Sequence, residues 1–261
     1  MTTLGPLGAT HTALDTDTAV AAELEELGYD TLWLAGGQGN NLPRITEVVR
    51  GTSRIQVASG ILSVDRVPSA SVASAYTELP AGRFVVGLGG AHGARPLATL
   101  GDYLDELDDV VPPSARILSA LGPRMLELAR DRASGAYPYL VTTDYVASAR
   151  EILGAGPQLA VLMNVVAETD QAKVREVVRG GSLKFLAGMP GYAANFRRMG
   201  FTEADIADLS DRLVDGLTVW GDFDAVAARL REYRAAGADQ VVVRLDGLPR
   251  EWWPELVKAL G

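Results

Sequence analysis

The chain has 261 residues, 48% hydrophobic and 22% charged, with a net charge of −9 and no cysteine. That size and apolar content suit a globular protein with a full core, and a single α/β barrel in particular. The acidic balance argues against binding a nucleic-acid backbone or an anionic membrane, and the lack of cysteine excludes disulfides, thiolate metal sites and cysteine nucleophiles.

Short apolar runs alternate with amphipathic stretches along the chain. Leu4–Ala9 reads as a weak first strand. Asp17–Leu27 reads as a helix, with Gly28 as its C-terminal stop. Thr31–Ala35 is a buried-type strand ended by Gly36-Gly37, and Pro43–Arg50 is a helix. Arg54–Leu62 is a strand rich in β-branched and small residues, and Pro68–Leu79 is a helix with Pro68 at its start. Arg83–Leu88 is a strand running into Gly-Leu-Gly-Gly-Ala-His, and Leu100–Val110 is a helix whose Asp105, Asp108 and Asp109 read as a solvated acidic face.

Residues 114–153 read as strand, tight turn, helix, strand, loop, helix. Gly122 lets the backbone turn sharply, and Pro123 suits the first helical position. The free N–H groups that follow form an anion site reinforced by the helix dipole, where a phosphorylated cofactor would rest with help from Arg124. Leu159–Ala167 is a further apolar strand. Residues 169–219 break the rhythm and read as mainly helical, with Gly188–Gly191 as an internal loop. A helix over Phe223–Ala236, a strand Gln240–Leu245 and a helix Glu251–Leu260 complete the chain. Trp252-Trp253 reads either as a dimer contact or as a seal at the barrel bottom. Met1 to Ala13 lacks a basic start before an apolar core, and no apolar run is long enough to cross a bilayer. A cytoplasmic protein is therefore expected.

Roughly eight strands separated by helical crossovers imply a parallel sheet. They close naturally into a (β/α)8 TIM barrel as one domain over 1–261, with 169–219 as a helical insertion before the last strand. An open doubly wound sheet is the other candidate, but Thr10-His11-Thr12 does not fit its early glycine-rich turn. In a barrel the chemistry sits at the C-terminal strand ends. Those ends are Gly36-Gly37-Gln38, Ser59-Gly60-Ile61-Leu62-Ser63, Gly87 to His92 including Gly89, Ser119-Ala120-Leu121-Gly122, and Thr142-Thr143-Asp144. Their small residues leave room for a flat ring, although glycine is also the common turn residue. His92 is the candidate proton donor, and His11 could also reach the mouth. Two histidines without paired carboxylates at ligand spacing do not make a metal site.

Several segments together resemble the luciferase-like monooxygenase family, in its actinobacterial branch of F420-dependent oxidoreductases. They are Glu23 to Tyr29 with Leu32-Trp33, Thr52 to Ile55, Pro80 to Phe84 with Gly87-Leu88-Gly89, Ala120 to Ala129, and Gly135 to Thr142. Arg198 to Phe201, Ser210 to Asp215, Trp220-Gly221-Asp222 and Ala235 to Asp239 complete the set. The resemblance implies a homodimer with F420, or alternatively FMN, lying across the strand ends and acting on a small organic substrate. It implies a non-prolyl cis peptide at Gly60-Ile61, with Ile61 pressing on one ring face near Ser63 and Gly89. The cofactor phosphate would lie at Ala120, Leu121, Gly122 and Arg124, and His92 would protonate or hydrogen-bond the substrate. Many relatives carry an acid and a histidine where this chain has Gly36 and Gly37. That departure keeps a third reading open, a cofactor-free barrel without catalysis.

Overall fold

The computed structural model describes residues 3–12, 16–36 and 39–261. Its strands are β1 (Leu7–Thr12), β2 (Thr31–Ala35), β3 (Gln56–Ser59), β4 (Leu62–Ser63), β5 (Phe84–Gly89), β6 (Arg116–Leu118), β7 (Gly135–Ala136), β8 (Gln158–Met163), β9 (Val165–Val166), β10 (Val219–Trp220) and β11 (Gln240–Arg244). Among the described residues, the eight strands β1, β2, β3, β5, β6, β7, β8 and β11 are parallel and form a closed barrel, sealed by β3 pairing with β5. The helices around it are α1 (Thr18–Leu27), α2 (Leu42–Gly51), α3 (Ser69–Glu78), α4 (Pro96–Leu107), α5 (Pro123–Arg132) and α6 (Thr143–Leu153), with α12 (Phe223–Ala235) and α13 (Trp252–Leu260) near the end of the chain. This is the α/β TIM barrel expected from the alternation of strands and helices.

The helix ends follow from local chemistry. Asp17 caps α1 by accepting the Val20 N–H, and Gly28 closes it at φ 97°, a backbone angle that side chains resist. Asp222 caps α12 in the same manner. The strands alternate inward and outward faces. The barrel interior is Leu4, Trp33, Ala58, Val85, Ile117, Tyr137, Ala160 and Val242. There Trp33 stacks on Tyr137 with centroids 3.9 Å apart, a contact worth about 0.5–1.5 kcal/mol beyond its buried area. Trp33 Nε1 donates to Gln240 Oε1 at 2.9 Å, and Gln240 Nε2 donates to Leu4 O, so these buried polar groups are satisfied. A second, larger apolar layer lies between the strands and the helices.

Several expectations are corrected. The first strand begins at Leu7, with Leu4 packed inside the barrel. The run 54–62 is two strands, because the chain bulges at Gly60-Ile61 before β4 pairs onward with β5. The run Leu159–Ala167 also divides: β9 leaves the barrel and pairs with β10. Between β9 and β10 lie α7 (Gln171–Gly180), α8 (Leu183–Ala187), α9 (Pro190–Arg198), α10 (Glu203–Asp208) and α11 (Asp211–Leu217), which share a core of their own. Pro190 opens α9, which shortens the loop expected at 188–191. Asp105 and Asp108 are not merely a solvated face. Asp108 pairs at 2.8 Å with the fully buried guanidinium of Arg116, and both aspartates bind Arg132. The side chain of Trp253 is buried in the helix-to-strand layer, with Trp252 edge-on to Phe223.

Candidate functional site at the C-terminal strand ends

The bulge after β3 forms one wall. The Gly60-Ile61 peptide is cis, as the resemblance implies. The Gly60 N–H donates to Leu34 O at 2.9 Å. A Cβ on Gly89 would stand 3.3 Å from Ile61 Cδ1 and 2.8 Å from Ser119 Cβ, and one on Gly36 would stand 2.7 Å from Ile61 O. Glycine at both positions therefore lets the Ile61 wall close down. Gly37 and Gln38 lie outside the described residues. Ser63 is buried, and its hydroxyl donates to Gly90 O at 3.3 Å, which ties β4 to the turn after β5.

His92 sits at the rim with its side chain 50% exposed. Its backbone N–H donates to Asp65 Oδ2 at 2.8 Å. Its Nδ1 lies 2.6 Å from Gly90 O, a contact that requires the proton on Nδ1 and leaves Nε2 as the outward nitrogen. His11 is committed elsewhere: Nε2 lies 2.8 Å from Asp246 Oδ1, and Nδ1 lies 3.0 Å from Thr16 Oγ1.

The start of α5 is the most developed part of the face. Gly122 is the N-cap residue, with Pro123 at the first helical position and no side chain capping the end. The N–H groups of Gly122 and Arg124 have no acceptor among the described residues, as the first helical turn leaves them. Tyr145 Oη donates to the carbonyls of Ala120 and Leu121 at 3.2 and 2.9 Å. Because the peptide unit is planar, holding the Leu121 carbonyl also fixes the direction of the Gly122 N–H.

Arg198, at the end of α9 in the insertion, reaches the same spot. A Cβ on Gly122 would stand 3.4 Å from Arg198 Nη2, and Nη2 donates to Asn195 Oδ1 at 3.1 Å. Asn195 is fully buried, and its Nδ2 has no hydrogen-bond partner. Burial pushes the Tyr145 phenol up, against a smaller opposing pull from Arg198. Two hollows flank this point. One of about 390 Å³ is lined by Leu121, Tyr145, Asn195 and Arg198. The other, of about 630 Å³, is lined by Gly122, Arg124, Arg95 and Arg198.

Of the residues expected from sequence, the structure thus brings Ala120, Leu121, Gly122 and Arg124 together at α5, and Gly60, Ile61, Ser63 and Gly89 along the bulge. His92 stands apart at the rim. Sequence reasoning missed Arg95, Asn195 and Arg198. Arg198 lay inside one of the segments that carried the resemblance, but nothing in its local pattern linked it to Gly122.

No family model matches this chain, and no curated protein does. Solved structures share its fold. The coenzyme F420-dependent tetrahydromethanopterin reductase of Methanopyrus kandleri aligns with a TM-score of 0.72 at 18% identity, over 97% of both chains. An F420-dependent secondary alcohol dehydrogenase, solved with an F420-acetone adduct, gives 0.74 at 11% identity over 98% of both chains. The oxygenating constituent of 3,6-diketocamphane monooxygenase from Pseudomonas putida, solved with FMN, gives 0.64 at 14% identity over 97% of both chains.

Proposed function

We propose that this chain is an oxidoreductase of the luciferase-like kind that uses F420 to exchange a hydride with a small organic substrate. FMN-dependent oxygenation on the same site is the alternative. One observation carries the reading: the Arg198 guanidinium stands beside Gly122, where the N–H groups of Gly122 and Arg124 have no acceptor among the described residues. These are all donors. An N-terminal helix turn with Arg124 and Arg198 lining the same hollow is chemistry that fits a phosphate group, and charge-assisted hydrogen bonds are the strong ones. Fold alone would not license this step, since one barrel hosts many activities. F420 and FMN both carry such a phosphate, and structures with this fold have been solved with each cofactor.

When bound, the deazaflavin supplies the hydride chemistry. The chain's own residues hold and orient. Tyr145 fixes the peptide whose N–H meets the phosphate. Gly122 keeps its Cβ position open so that Arg198 can approach. Ile61, seated against Gly89, gives an apolar wall that keeps water from one side of the slot. His92, held by Asp65 and Gly90, presents Nε2 as the atom that can hold or release a proton.

The test is titration of the purified protein with F420 and with FMN, each followed by fluorescence. F420 binding is expected, weakened by roughly tenfold or more in Arg198→Ala. Tight FMN binding without F420 binding moves the assignment to the monooxygenase. Binding of neither at high micromolar concentration returns the chain to the reading of a barrel without catalysis.

A further inference from the structure

We propose that the barrel mouth takes a substrate bearing a carboxylate, and that Arg244 is the residue that recognises it. The inference rests on the reading of this face as an active site. Strand alternation sets the geometry. Gln240 and Val242 point into the barrel, where Gln240 bonds Trp33 and Val242 joins the interior cluster. Arg244, two residues further and the last residue of β11, follows the same inward parity. It is level with Thr10 of β1, its registered partner. Its side chain is nevertheless exposed, so it stands in the opening and not in the packed interior.

The Arg244 side chain has no ion pair or hydrogen bond among the described residues. Arg66, Arg95, Arg124, Arg231 and Arg234 likewise have no side-chain partner among the described residues, but they lie on loops or helices, whereas Arg244 lies on a barrel strand. Arg116, Arg132, Arg150, Arg175 and Arg179 are all paired. Asp246, two positions on, is engaged with His11.

The surroundings define the ligand. The Tyr137 hydroxyl is buried without a hydrogen-bond partner and lies 3.6 Å from the place a Gly60 Cβ would occupy, so it faces the bulge. Val242 packs in one interior cluster with Trp33 and Tyr137, so Arg244, the next inward position of β11, comes one layer above those rings. Burial raises the Tyr137 and Tyr139 phenols, and the Arg244 charge opposes that rise in both. Ile61 and Leu162 supply apolar surface beside the Trp33–Tyr137 stack. An unpaired guanidinium, a phenol with an unmade hydrogen bond and an apolar floor suit an organic carboxylate: the fork of Arg binds the two oxygens and the carbon body covers the rings. The donors at the start of α5 belong to a different place, formed by α5 and α9.

Paired probes test this without a redox cofactor. Benzoate and its neutral isostere benzamide are titrated into the full chain and followed by NMR shift changes. Benzoate is expected to bind in the millimolar range or tighter, benzamide about tenfold more weakly or worse. Arg244→Met is expected to abolish that preference, Arg244→Lys to keep part of it, and both to leave the binding of inorganic phosphate at α5 unchanged. An unchanged thermal midpoint confirms that the exposed position tolerates the substitution. Equal binding of the two probes, no benzoate binding, or a preference that survives Arg244→Met overturns the proposal. Failure of F420 and FMN to bind would instead remove the redox reading, and the benzoate result would stand independently.

Discussion

Glu25 lies in α1, yet its carboxylate accepts the N–H groups of Ser53, Arg54 and Ile55, where the chain turns into β3. Arg83 completes the joint from the other side through the carbonyls of Ile55 and Thr52. Partial burial alone would raise the Glu25 carboxyl, but the three N–H donors and the Arg54 charge together hold it below its usual value. A carboxyl lowered in the folded state stabilises above its unfolded value and loses that contribution as pH falls through its folded value. Glu25→Gln is therefore expected to lower stability by about 1 kcal/mol at neutral pH, with the difference closing in acid. Thermal unfolding of both proteins across that range checks it; a difference that stays constant into acid rejects the linkage. This residue also ties together two separated segments, around Glu25 and around Ser53, that both carry the resemblance. Gly122 was legible because glycine followed by proline before a helix has a direct physical meaning. Arg198, Asn195 and Arg244 were not, because their roles depend on which element the fold brings opposite them.

Elements with strong local signals were read well. The helix bounded by Asp17 and Gly28 was placed closely, since cap chemistry is local. The strands were read as apolar runs, and such a run carries no mark of where its partner changes. Hence the break at Gly60-Ile61 and the departure of β9 from the barrel were both hidden inside continuous apolar sequence. Glycine inside a strand does carry a signal, since it marks close approach of another backbone. Gly87 in β5 is such a case. A Cβ there would stand 1.9 Å from Ser59 O, and the Gly87 N–H and carbonyl both bond the Ser59 hydroxyl. Gly87→Ala must push β3 and β5 apart at the seam where the barrel closes. We expect a loss of about 3 kcal/mol, read by denaturant unfolding. A loss below about 1 kcal/mol would mean that the strands separate freely there.

At the scale of the molecule, two apolar cores face one another. The barrel and its helices form one, and α7–α11 with Leu140 form the other. Met199 packs against both, and the Thr142 hydroxyl lies 3.8 Å from its sulfur. Leu140 takes φ 55°, an uncommon angle for a residue with a Cβ, just where the chain passes from β7 to α6. The proposed phosphate site would draw on both bodies, with Gly122 and Arg124 from the barrel side and Arg198 from the insertion. A ligand held there must oppose any opening that separates the two. Ligand at a hundred times its dissociation constant stabilises the closed form by about 2.7 kcal/mol, which is about a hundredfold in opening. Amide hydrogen exchange in α9 and in the first turn of α5 is therefore expected to slow by up to about that factor when the cofactor binds. Exchange in β1 and β2, which touch neither partner of the site, should change little. If α9 exchanges at the same rate with and without ligand while the α5 turn is protected, the insertion takes no part in holding the phosphate, and Arg198 loses its assigned place.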